Sequence, residues 1–182
     1  MSSLVLTGDT SGQVTLAAPA VAGSTTITMP AVTGTMSILP TTPSMVRLNT
    51  ANSYGSTNTV IRRFTTAVTN QGSDITYADS ATLGATFTIN TTGIYAVSYT
   101  DCFNSGSTLG ISLNSTQLTT VIYNITQANI LSTGNGTTNS AGYISWTGLL
   151  TAADVIRAHT AGTAAGLNGG AASTFFTIVR VA

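Results

Sequence analysis

Lysine and glutamate are absent from this 182-residue chain: its five basic residues are all Arg, its five acidic residues are all Asp, and the formal net charge is zero. Charged side chains make up 5% of the sequence, against about a quarter in ordinary globular proteins. Without Lys there is no Gly-rich phosphate loop of the nucleotide-hydrolysing kind. A neutral, charge-poor chain also has no electrostatic footprint for nucleic acid, so no nucleic-acid partner is expected. Cys102 is the only cysteine, which rules out an intrachain disulfide and is expected to be a small buried hydrophobe. No apolar run reaches 18 residues, so no membrane insertion by a helix is expected. Met1-Ser2-Ser3-Leu4 has no basic segment and Gly8-Asp9 breaks the apolar stretch, against a secretory leader.

The same scarcity limits chemistry. His159 is the only imidazole, and one His with one Cys does not supply a tetrahedral zinc set. A Ser-His-Asp relay would have to run through His159 and Asp101 or Asp154, and no Gly-x-Ser-x-Gly elbow accompanies it. Asp74 and Asp79 are an odd number of positions apart, so in one strand they face opposite sides rather than forming a carboxylate pair. Those two Asp with loop carbonyls are the only calcium candidates. The expectation is a protein that is not an enzyme, with no catalytic residue, cofactor or metal.

What the chain does have is Thr, Val, Ile and Tyr in alternation. Phe87 and Ile89 alternate with Thr88 and Asn90; a polar turn ending at Gly93 follows, and Tyr95, Val97 and Tyr99 then share one face. This period of two predicts an antiparallel hairpin. Further strands are predicted at 60–68, 75–78, 109–113, 118–125, 142–150, 155–159 and 175–181, with turns at Asn70-Gln71-Gly72-Ser73, Asn104-Ser105-Gly106-Ser107, Gly134-Asn135-Gly136 and Asn168-Gly169-Gly170. Many short strands at this spacing make an all-β sandwich or jelly roll. Arg62 and Arg63 point to opposite sides of one strand, so one of them needs an Asp partner in the core or at a seam between protomers. Arg62, Arg63, Arg157, Asp101 and Asp154 are the candidate interface ion-pair residues. Tyr54, Tyr77, Tyr123 and Tyr143 are either packing residues or contacts for a ligand.

The run Phe87-x-Ile89, turn, Gly93-x-Tyr95-x-Val97-x-Tyr99 resembles the core hairpin of the jelly-roll domains of complement globular heads and tumour-necrosis-factor-like proteins. The stretch from Ser145 to Arg157 resembles that superfamily's strand, tight "Gly-Asp-x-Val" turn and following strand, with Ala153 where the family usually has Gly. Phe175-Phe176-Thr177-Ile178-Val179-Arg180-Val181 resembles its closing aromatic strand. The resemblance spans about Arg47 to Val181 and implies an antiparallel jelly-roll β-sandwich that assembles as a homotrimer. Phe87, Tyr95, Val97, Tyr99, Trp146, Phe175 and Phe176 are the expected core or trimer-packing residues.

Ahead of it, Leu4-Val5-Leu6, Val14-Thr15-Leu16, Thr26-Ile27-Thr28-Met29 and Thr35-Met36-Ser37-Ile38 are strand-length pieces without a single aromatic. They are too small to form a core alone and define an extended β arm at 1–39, a Pro/Thr linker at 40–45 and a jelly roll at 46–182. The Gly, Pro and aliphatic positions from Leu4 to Met36 closely resemble a module of tailed-phage virion proteins, including fibres and capsid-attached proteins. That resemblance implies attachment through Leu4, Leu6, Val14, Leu16, Ile27, Met29 and Met36. The expected function is a capsid cement or decoration trimer, made in the host cytoplasm, bound to the major capsid protein and located on the outer surface of the virion. The alternative is a short tail-fibre or baseplate protein that binds a host-surface glycan. The short linker, in place of a shaft, favours the capsid.

Overall fold

The computed structural model describes residues 3–7, 13–17, 43–50, 55–102, 107–136, 141–161 and 173–181. The chain divides into two compact units, Met1–Ile38 and Leu39–Ala182. In the first, β1 (Ser3–Thr7) and β2 (Gln13–Ala17) pair antiparallel, with Leu4 opposite Leu16 and Leu6 opposite Val14. Ile27, Met29 and Met36, the other expected attachment residues, lie outside the described residues.

The described residues of the second unit form ten strands: β3 (Met45–Asn49), β4 (Thr66–Gln71), β5 (Ile75–Ala78), β6 (Thr86–Ile89), β7 (Gly93–Cys102), β8 (Ser107–Leu113), β9 (Ile130–Gly136), β10 (Ala141–Leu150), β11 (Val155–Ala158) and β12 (Phe175–Arg180). They form two five-stranded sheets, β10-β7-β12-β3-β4 and β5-β6-β11-β8-β9, in which every neighbour is antiparallel. This is an antiparallel jelly-roll β-sandwich. Alternation places Val46 and Leu48, Tyr95, Val97 and Tyr99, and Phe176 and Ile178 between the sheets, facing Phe87 and Ile89, Leu109 and Ile111, and Ile156. Phe64, Phe87, Tyr99 and Phe176 make the aromatic centre, with Phe87 stacked on Phe176 at 4.5 Å between ring centroids. Each such ring, fully removed from water, stabilises the fold by about 1.5–3 kcal/mol.

The predicted hairpin at 85–99 is corrected. β6 and β7 are not paired; they belong to opposite sheets, and residues 90–92 carry the chain from one to the other. Two strands facing each other across a sandwich bury the same alternating positions as two strands side by side, so periodicity does not separate the cases. The same holds for β10 and β11, which are consecutive but lie in different sheets. Their turn, at 151–154, docks on the end of β6, where the Ala153 N–H donates to the Ile89 carbonyl at 2.8 Å. Ala153 itself has φ +76°, the left-handed backbone that explains why Gly is usual at this position.

Three further differences follow from tertiary context. The expected strand at 118–125 is a coil containing a 3₁₀ turn, Ile122–Asn124, because its apolar residues cap the outside of a sheet instead of joining one. The Gly134-Asn135-Gly136 cluster, read as a turn, lies inside β9, where Gly134 leaves room for Ile144. The expected strand from Val60 starts only at Thr66; Ile61 and Arg62 form isolated bridges to His159 and Gly55.

Candidate functional site

Arg62 and Asp101 form a buried ion pair with both side chains 0% exposed and Arg62 Nε 2.8 Å from Asp101 Oδ2. The pair is inside one chain. Asp101 also accepts hydrogen bonds from the Tyr99 hydroxyl at 2.6 Å, the Thr174 hydroxyl at 3.0 Å and the Cys102 N–H at 2.9 Å. A buried carboxylate met by one cation and three further donors is compensated in full, which is what makes its burial tolerable. Burial, and then the Asp101 charge, push the Tyr99 hydroxyl well above its ordinary pKa, so it serves as a fixed donor.

Arg63 turns the other way and pairs with Asp79 at 2.6 Å on the half-exposed surface, and Arg180 reaches Asp74 at 3.3 Å. Among the described residues neither Arg157 nor Asp154 joins an ion pair within the chain. Arg157 Nη1 instead donates to the Thr86 hydroxyl at 2.7 Å. Asp154 closes the 151–154 turn, accepting the Thr151 N–H at 2.7 Å and the Asn114 amide at 2.7 Å. Burial raises the Asp154 carboxyl pKa, but these donors outweigh it and hold the group below its usual value.

Among the described residues no Ser-His-Asp relay is assembled. His159 Nε2 lies 2.6 Å from the Thr120 carbonyl and Nδ1 lies 3.3 Å from Ser112 Oγ, while Asp101 and Asp154 are engaged as above. Asp74, a calcium candidate, instead accepts hydrogen bonds from the Ser44 hydroxyl at 2.8 Å and Arg180 Nη1 at 3.3 Å. The Arg180 N–H also donates to the Ser44 carbonyl at 2.9 Å. Residues 43–44 are thereby fastened to the last strand and to the β4–β5 turn, where Gly72, at φ +78°, lies against Ser44. Asp79 is occupied by Arg63.

A further surface is the outer face of the β10-β7-β12-β3-β4 sheet. Strand alternation places Tyr143, Ser145, Thr147 and Leu149 there from β10, Ala96 and Ser98 from β7, and Phe175, Thr177 and Val179 from β12. Tyr143 and Leu149 are 64% and 61% exposed. Acidic residues are absent from these strand positions, and the one cation is Arg47 of β3, whose guanidinium carbon lies 4.4 Å from the Phe175 ring centroid. Arg47 Nε is buried with no hydrogen-bond partner. Of the expected packing residues, Phe87, Tyr95, Val97, Tyr99 and Phe176 are buried in the core and Trp146 packs against it, so Phe175 alone faces outward. Arg47 escaped the sequence reading, although Met45-Val46-Arg47-Leu48-Asn49 carries the needed alternation. Tyr77 is half-buried, its hydroxyl donating to the Phe64 carbonyl, whereas Tyr123 and Tyr143 are exposed. Tyr54 lies outside the described residues.

Sheet order and strand pairing define the class as a two-sheet antiparallel jelly roll. Solved structures share this fold. The chain is similar to murine APRIL at pH 8.0, at 15% identity and a TM-score of 0.57, over 76% of this chain and 99% of that chain. Murine APRIL at pH 8.5 matches at 16% identity and a TM-score of 0.57 over the same shares. At this identity the likeness shows the fold. No protein-family model matches the chain, and no curated protein matches it.

Proposed function

We propose that this protein is a structural component of a tailed-phage virion, a homotrimeric cement or decoration protein held on the outside of the capsid by its N-terminal arm. The observation that carries the reading is the two-unit division: a small β unit at Met1–Ile38, bearing the phage-virion-like pattern, precedes a jelly roll. The Pro/Thr stretch at 40–45 is too short to be a shaft, and Pro43 and Ser44 are tied to the jelly roll by Gln71 and Arg180. A chain without a shaft suits a shell surface better than a tip carried away from one. Self-assembly is supported by the charge-poor outer sheet face and by the exposed Tyr143 and Leu149. The arm's partner is then the major capsid protein, with strand addition as the mode of attachment.

The test is co-sedimentation with undecorated heads. The full chain should sediment with them, and the chain begun at residue 39 should stay in the supernatant while remaining folded. Equal binding by both forms would remove the arm from the account.

A further inference from the structure

Segment 114–129 joins β8 to β9 by crossing the outside of the β5-β6-β11-β8-β9 sheet. There it covers Gly110 and Ser112 of β8 and the outer side of β11: a Cβ on Gly110 would lie 2.1 Å from Ile122 Cγ1 and 2.5 Å from the His159 carbonyl oxygen. Ile122 is fully buried and Ile125 nearly so, making a small apolar layer apart from the main core. The Asn114 N–H ties the start of the segment to the Val155 carbonyl at 2.8 Å; further along, the Ile122 N–H donates to the Thr160 carbonyl at 3.2 Å, and the Val60 N–H donates to the Leu118 carbonyl at 2.9 Å. The side chain that holds it between them is His159, fully buried, with Nε2 2.6 Å from the Thr120 carbonyl.

That geometry fixes the tautomer. A carbonyl only accepts, so Nε2 carries the proton, and Nδ1 must accept from the Ser112 hydroxyl at 3.3 Å. A second proton on Nδ1 would turn the Ser112 hydroxyl from donor to acceptor and would place a charge on a fully buried ring beside Arg157. No carboxylate offsets this. Ser112 is the polar neighbour from β8, and segment 114–129 contains no charged residue, Tyr123 being its one titratable side chain. Across the Ile61–His159 bridge, Arg62 and Arg63 are paired with Asp101 and Asp79. From β6 the group nearest Arg157 is the neutral Thr86 hydroxyl. We infer that His159 is an acid-sensitive latch, which in its neutral form holds segment 114–129 on the sheet and when protonated releases it, uncovering Ile122 and Ile125.

Burial lowers the ring's pKa and Arg157 lowers it further, against the opposing hydrogen bond to Thr120, leaving it below the ordinary value. Neutral His is thus favoured in the latched state, so the latch is intact above the free imidazole pKa of about 6.5 and weakens as pH falls below it. The chain has one His and no Glu, so no other side chain has an ordinary pKa between about 5 and 8.

The experiment follows the full chain by amide hydrogen exchange, corrected for intrinsic rates, together with NMR titration of the single imidazole. Between about pH 7 and about pH 5, exchange in 114–129 should accelerate by up to about tenfold per pH unit below the free imidazole pKa, while β7 and β12 stay protected. The ring should titrate below the free value, and in His159→Gln the segment's exchange should not depend on pH. A ring titrating at or above the free value, a segment whose exchange ignores pH, or opening of the whole sandwich at once would each overturn the latch. If His159→Gln does not fold, the titration and exchange of the unaltered chain decide alone.

Discussion

Arg62 and Asp101 show how much a single pair can depend on context. Removing one partner leaves the other charged, buried and without compensation, so Asp101→Asn should lower unfolding stability by about 3–5 kcal/mol, read from the denaturant midpoint at unchanged slope. The exposed pair Arg63–Asp79 is the internal control: Asp79→Asn should cost about 0–1 kcal/mol. A comparable loss in both variants would mean that burial does not set the difference. Ala153 carries the opposite prediction. Its φ of +76° is strained for a residue with a Cβ, and Ala153→Gly should stabilise by about 1 kcal/mol despite the added freedom of the unfolded chain. The strain was foreshadowed in the sequence, since Ala153 stands where a Gly is usual. The need of Arg62 for an acidic partner was legible from alternation alone. Which Asp answers it depends on a contact 39 positions away that no local pattern encodes.

At the level of elements, periodicity located most strands and misjudged their partners. β6, β7, β10, β11 and β12 were all legible as alternating runs, because each has one face on the core. β3 and β9 were not: β3 follows directly on a Pro/Thr linker, and β9 contains Gly134, Asn135 and Gly136, whose usual place is a turn. Segment 118–125 misled in the other direction, since its Ile122 and Ile125 are buried without belonging to a strand. The joint at Pro43–Ser44 was legible only as a linker. Its attachment through Asp74 and Arg180 places the start of the jelly roll at Pro43 or earlier. A chain begun at residue 39 should therefore melt cooperatively with a β-rich circular dichroism spectrum. A chain begun at residue 46, lacking the Ser44 contacts and the first residue of β3, should melt several degrees lower.

For the whole molecule, the scarcity of charge and the exposed Tyr143 and Leu149 of the outer sheet face motivate the trimer prediction. Light scattering should give a particle of three chains of 18.4 kDa each, and Leu149→Arg, which sets a like charge on three symmetry-related faces, should shift it toward the monomer. A monodisperse monomer of the unaltered chain at micromolar concentration would remove the trimer. Whether the protein coats a phage head is decided by its amount on purified particles before and after the tails are removed. It should be present at a level comparable to the major capsid protein and stay on tailless heads. Absence from the particle, or a small amount lost entirely with the tails, would contradict it.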